Sequence, residues 1–137
     1  MELIELSEAW VERAVALWEY TGLTRPWNDP HADARKALAG PESTILALVQ
    51  GERLAATAMA GDDGHRGWLY YVAVDPDLQD QGCGRRIVEA AAEWLRARGT
   101  VKVQLMVRAG NDSVTQFYEK LGFERLDVAV LGKRLVP

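Results

Sequence analysis

One cysteine, two histidines and two phenylalanines are all that this 137-residue chain holds of those types. Cys83 has no partner for an internal disulfide, which fits a reducing compartment. No metal site is expected. No apolar run approaches the roughly 20 residues that a membrane span requires. Nor does the chain open on a basic stretch followed by an apolar one, since it starts Met1-Glu2-Leu3-Ile4-Glu5. A soluble, unsecreted, cytoplasmic protein is expected, with no membrane partner. Positive charge is scarce too. Sixteen Lys and Arg against 20 Asp and Glu give a net charge of −4, which argues against a nucleic-acid partner, because such binding needs a basic face. The chain does carry a globular balance of 48% apolar and 26% charged residues. Its length fits a single domain over residues 1–137 built on one core.

The apolar pattern predicts a strand over residues 2–6, then a helix capped by Ser7, with Trp10, Ala14, Leu17 and Trp18 at helical spacing and an end near Gly22. The loop Arg25-Pro26-Trp27-Asn28-Asp29-Pro30 precedes a second helix over about residues 31–39. Strands follow at 44–49, 54–60 and 68–74, joined by turns at Gln50-Gly51-Glu52 and Asp62-Asp63-Gly64 that suit an antiparallel meander. A third helix over about 84–98 places Ile87, Ala91, Trp94 and Leu95 on its apolar stripe and ends at Gly99. The run 101–107 alternates as a strand, and the helix before it implies a parallel crossover from the 68–74 strand. A fourth helix spans about 112–121 with Val114, Phe117, Tyr118 and Leu121 on one face, and residues 123–135 read as a closing strand pair.

The most informative stretch is Val72-Ala73-Val74-Asp75-Pro76-Asp77-Leu78-Gln79-Asp80-Gln81-Gly82-Cys83-Gly84-Arg85-Arg86, where a buried strand runs into a glycine loop that opens a basic helix. Gly82 and Gly84 permit backbone conformations closed to residues with a Cβ, and the helix start aims unpaired N–H donors at the same place. That combination suits a pyrophosphate. A lone Gly-x-Gly is more often a tight turn, and only its strand-loop-helix setting raises it above that.

Gln79-Asp80-Gln81-Gly82-Cys83-Gly84 resembles the acetyl-CoA signature of the GNAT family of N-acetyltransferases: Gln or Arg, two residues, Gly, one residue, then Gly or Ala. A second segment, Asn111 through Phe123 with Tyr118 and the ending Leu121-Gly122-Phe123, is similar to that family's C-terminal motif. Residues 25–30 and 63–67 further resemble a subgroup of small bacterial acetyltransferases. The resemblance implies an α/β, GNAT-like acyl-CoA N-acyltransferase fold with a mixed, mostly antiparallel sheet flanked by about four helices. It implies acetyl-CoA as co-substrate and direct transfer of its acetyl group to an amine, on a small molecule or a protein. A homodimer is compatible with it. The backbone of Val72, Ala73 and Val74 would hold the pantetheine like an added strand, and Gln79, Gln81, Gly82, Cys83, Gly84 and Arg85 would wrap the pyrophosphate. Asn111 would lie near the pantetheine, and a bulge in the 68–74 strand would free an amide for the thioester oxygen.

Each residue also has a plainer reading. On its helix stripe Tyr118 would by itself be a core aromatic. The resemblance makes it the general acid for the leaving thiolate, a transfer uphill by roughly 2 kcal/mol from a phenol near pKa 10 to a thiol near 8.5. Asn111 also reads as a helix N-cap, and Cys83 as a small structural residue rather than a nucleophile. No carboxylate lies in residues 70–74. Asp62, Asp63 and His65 are the nearby base candidates, although Asp-Asp-Gly is first of all a turn. Trp27 and Asp29 would suit a cationic acceptor. The competing class is a non-catalytic acyl-CoA sensor or scaffold; a nucleotide-binding protein is weaker, for want of an acidic residue placed for a ribose.

Overall fold

The structure is a computed structural model and describes residues 1–137. It divides into two compact units, Met1–Met106 and Val107–Pro137.

The first unit is a five-stranded sheet in the order β1-β2-β3-β4-β5. β1 (Glu2–Glu5), β2 (Ser43–Gln50), β3 (Arg53–Asp62) and β4 (Gly67–Val74) form the expected antiparallel meander, and β5 (Val103–Gln104) joins β4 in parallel. β2 and β3 are buried over most of their length because both faces are covered, as their near-continuous apolar sequences require.

One face carries α1 (Val11–Tyr20) and α2 (Pro30–Ala39). Val11, Ala14, Val15 and Trp18 from α1, and Ala34 and Ala37 from α2, pack on Ile45, Ala47, Val49, Leu54 and Ala73 of the sheet. Ser7 makes no side-chain cap; a 3₁₀ turn over Glu8–Trp10 leads into α1 instead. α2 starts at Pro30, whose missing N–H costs nothing in the first turn, and Asp29 is its N-cap, accepting from the N–H of Ala32 at 3.1 Å. The other face carries α3 (Cys83–Ala97), which buries Ile87, Val88, Ala91 and Leu95. Trp94 departs from the expected stripe: it is half-buried at the rim, with its indole N–H donated to Glu5 at 3.0 Å and the Arg98 guanidinium over its ring. At the start of β4, Gly67 lies close against Leu95 of α3. A Cβ there would stand 2.8 Å from Leu95 Cδ1 and 2.9 Å from Thr100 Cγ2.

The second unit contains α4 (Asp112–Lys120), with Tyr118 buried and edge-on to Phe117 and Phe123. Residues 123–135 form no strand, contrary to the alternation of Leu126, Val128 and Val130. These residues stay exposed, as do Leu131 and Leu135. Periodicity states which side chains a strand could bury, but only a ladder partner makes the strand, and the run breaks at Val130-Leu131-Gly132.

Candidate active site

The site begins with an irregularity in β4. Between Thr57↔Ala73 and Met59↔Tyr70, β3 advances by two residues while β4 advances by three. The extra residue is a β-bulge, and within it Tyr71 has φ +49°, a left-handed conformation rare for a residue with a bulky side chain. Such backbone strain costs on the order of 1–3 kcal/mol and persists only where the surroundings dictate it.

Here they do. The Tyr71 ring stacks on Trp18 with centroids 4.0 Å apart, and its phenol donates to Asp33 Oδ2 at 2.7 Å. Its carbonyl accepts from Thr57 Oγ1 at 2.8 Å, and the same hydroxyl oxygen accepts from Trp18 Nε1 at 2.9 Å. Burial, with Asp33 adding to it, raises the Tyr71 phenol well above its ordinary pKa, so it stays a donor.

The bulge reverses the strand's facing. Gly67 points at α3, and Leu69 two residues on shares that side; Tyr71 and Ala73 pack with the α1–α2 core. Without the extra residue all four would share one face. The ladder on the other edge is short. β4 and β5 pair only at Gly67↔Val103 and Trp68↔Gln104, so residues 69–74, including Val72, Ala73 and Val74, have no strand partner on that side. This corrects the strand expected over 101–107 to two residues, because the parallel ladder with β4 stops at Trp68↔Gln104.

The loop after β4 is pinned before it reaches the glycines. The Arg53 guanidinium donates to Asp75 at 2.9 and 3.0 Å and to Asp77 at 3.1 Å, and Leu78 is buried. Beyond it, Asp80 at φ +65° and Gly82 at φ +77° both take left-handed backbone. A Cβ on Gly82 would meet nothing within 4 Å, so the space over the loop is open, but its φ favours glycine. Gly82 is the N-cap of α3 and no side chain caps the helix. Cys83, Gly84 and Arg85 therefore present first-turn N–H groups with no side-chain acceptor, and a fifteen-residue helix lies behind them. These residues fit a diphosphate on the structure's own terms. The Cys83 side chain turns inward, buried with Sγ 3.6 Å from Met1 Sδ, so only its backbone faces the loop. Arg85 is exposed and paired with Glu89 at 3.2 Å; Arg86 reaches the Met1 carbonyl at 3.1 Å.

Residues 8–123 match the acetyltransferase (GNAT) family. The chain belongs to the GNAT family. It is 41% identical over 137 residues to an acetyltransferase of Yersinia enterocolitica, covering 99% of this chain and 96% of that protein. To an acetyltransferase of Pectobacterium atrosepticum it is 44% identical over 126 residues, covering 91% and 89%. Among solved structures, the aminoglycoside N-acetyltransferase AAC(6')-Iy in complex with CoA shares the fold at a TM-score of 0.84, with 14% identity and coverage of 98% and 95%. The GNAT fold and acetyltransferase activity expected from the sequence are thus established, with acetyl-CoA as the acetyl donor.

The remaining predicted residues divide. Tyr118 is buried in the second unit, and burial pushes its phenol up to about 12. Asn111 holds the N-cap position of α4 but makes no side-chain cap bond; its Oδ1 accepts from Ser113 at 3.4 Å. Two of the three base candidates, Asp62 and Asp63, spend their carboxylates on the turn between β3 and β4, and His65 gives that turn a main-chain N–H. Asp62 accepts from Thr100 and from the Gly64 N–H at 2.7 Å, and these bonds hold its carboxyl below the usual range. Asp63 is lowered in the same way by the Arg66 and His65 N–H groups, both at 2.8 Å, and also accepts from Trp68 Nε1 at 3.2 Å. Carboxylates so engaged are poor proton acceptors. Asp33, Thr57, Trp18 and Tyr71 as a bulge-holding group, and Gly67 as the contact with α3, carried no signal in the sequence beyond the doubled Tyr70-Tyr71 in a strand.

Proposed function

We propose that this acetyltransferase passes the acetyl group to an amine by direct attack within a ternary complex, with donor and acceptor bound together. The observation that carries the reading is the bulge in β4 beside an edge left unpaired from residue 69 onward. Val72, Ala73 and Val74 would supply main-chain partners to the pantetheine arm, and one of their amides would stabilise the tetrahedral oxyanion. Loss of one such donor elsewhere costs about 3–4 kcal/mol. Gln79, Gln81, Gly82, Cys83, Gly84 and Arg85 would hold the diphosphate, mainly through main-chain N–H groups, and Asn111 would contact the pantetheine. Tyr118 would protonate the departing sulfur. Its motif supports that role; burial keeps the phenol protonated but, by raising it to about 12, makes transfer to a thiolate near 8.5 uphill by about 5 kcal/mol, which the site would have to offset.

The acceptor must reach the thioester as a free amine, which for a lysine-like group costs on the order of 4–5 kcal/mol at neutral pH. With Asp62 and Asp63 committed to the turn, deprotonation falls to His65, bulk solvent or bound water, and without a protein base turnover should rise with pH up to the acceptor's own pKa. Trp27, more than half exposed, and Asp29 would receive a cationic acceptor. The chain would work as one catalytic domain, since the family match runs across both compact units. No helix is long and apolar enough to cross a membrane; a cytoplasmic location fits a donor made and used there.

The deciding experiment is thiol release from acetyl-CoA across a panel of amines, with Tyr118→Phe as the paired variant. Retained CoA affinity with turnover reduced by about 10²–10⁴ supports the acid role. Unchanged turnover would remove Tyr118 from the chemistry, and thiol release that ignores every amine would reject the acceptor class.

A further inference from the structure

Two of the three contacts that fix Tyr71 come from the buried core: the Trp18 stack and the Thr57 bond. The third comes from outside it. Asp33 lies on α2, the helix that directly follows the 25–30 loop, and its carboxylate accepts the Tyr71 phenol at 2.7 Å. No ion pair competes for that carboxylate. A hydroxyl donating to a carboxylate is a strong, directional bond, so a shift of α2 is felt at the one left-handed residue of β4.

We propose that Asp33 is a positioning residue for acetyl transfer: through the Tyr71 phenol it holds the β4 bulge in the arrangement that leaves the Val72–Val74 backbone free on its β5 side. This rests on the reading of that backbone as the thioester's seat. Asp33 need not touch either substrate. Its removal leaves the Trp18 stack and the Thr57 bond in place, so the fold survives while the bulge loses one of its restraints.

The test uses the full chain with Asp33→Ala, Asp33→Asn, Tyr71→Phe and the double variant Asp33→Ala/Tyr71→Phe. The amide shifts of Val72, Ala73 and Val74 in the ligand-free protein should move alike in Asp33→Ala and Tyr71→Phe, and no further in the double variant. The kcat should fall about tenfold in each and stay there in the double, the signature of two groups acting as one. The CoA dissociation constant should change by less than about threefold, because the diphosphate loop is untouched. Asp33→Asn, whose amide oxygen still accepts the phenol, should recover most of the lost kcat. Unmoved amides at 72–74, losses that multiply to about a hundredfold in the double, or Asp33→Asn no better than Asp33→Ala would each overturn the proposal. A wild-type protein with no amine turnover would defeat the functional reading instead, and the amide shifts would still decide whether Asp33 sets the bulge.

Discussion

Replacing Thr57 by valine removes one hydroxyl and almost no volume, which makes it a sharp probe of what holds the bulge. Thr57 is fully buried, and its Oγ1 both accepts the Trp18 indole N–H at 2.9 Å and donates to the Tyr71 carbonyl at 2.8 Å. Valine would strand both. A buried donor or acceptor left unmade costs about 1–3 kcal/mol, with the indole toward the upper end because it has a single hydrogen and no other partner. The carbonyl keeps a second lone pair and falls toward the lower end. Together these give about 2–4 kcal/mol, or about 6–15 °C in Tm for a chain of this size. Serine keeps the hydroxyl and loses one methyl group, for about 1 kcal/mol. Urea denaturation followed by tryptophan fluorescence should therefore rank wild type above Thr57→Ser and Thr57→Ser above Thr57→Val. A valine variant within about 1 kcal/mol of wild type, or a serine variant below it, would refute the hydrogen-bond account of the bulge.

Three further outcomes are expected. Gly67→Ala places a methyl group under 3 Å from Leu95 and Thr100, and should cost about 1–3 kcal/mol by calorimetry, whereas alanine at Gly132, which has no neighbours within 4 Å, should cost far less. Asp62 and Asp63 have carboxyls lowered in the folded state, so their stabilisation is present above about pH 4 and disappears as pH falls through the folded values. Asp62→Asn and Asp63→Asn should flatten the acid limb of Tm against pH and leave the neutral-pH rate profile in place; loss of that profile would restore them as base candidates. Tyr118, raised to about 12 by burial, favours the fold while the phenol is neutral, and that contribution is lost as pH climbs from about 10 to 12. Tyr118→Phe should show less alkaline destabilisation than wild type in a Tm series over that window.

Much of this architecture could be read from local pattern. The β2 and β3 runs were bounded by Gly40-Pro41 and the two turns, and the structure extends each by only one or two residues at its ends. The glycine loop was legible because its requirement is local: Gly82 needs a left-handed φ, and the helix behind it needs an amphipathic period. What stayed hidden depends on partners distant in sequence. Trp18 to Thr57 spans 39 residues and Tyr71 to Asp33 spans 38, and nothing in either neighbourhood announces the other. The same holds for Gly67, whose lack of a side chain matters only because Leu95 stands over it. The strand expected over 123–135 failed for the converse reason, a correct local period with no ladder to join.

The phase reversal in β4 has a consequence for how this strand tolerates change. Side-chain demands at positions 67 and 69 are set by α3 and those at 71 and 73 by the opposite helical layer, so odd-numbered sites that look equivalent in the sequence answer to different neighbours. Deleting any one residue from 70–72 would not merely shorten the strand. It would remove the extra residue, restore plain alternation from Leu69 to Ala73 and keep Ala73 opposite Thr57 on its own layer, so the register and the glycine loop would survive while the left-handed step of the strand would not.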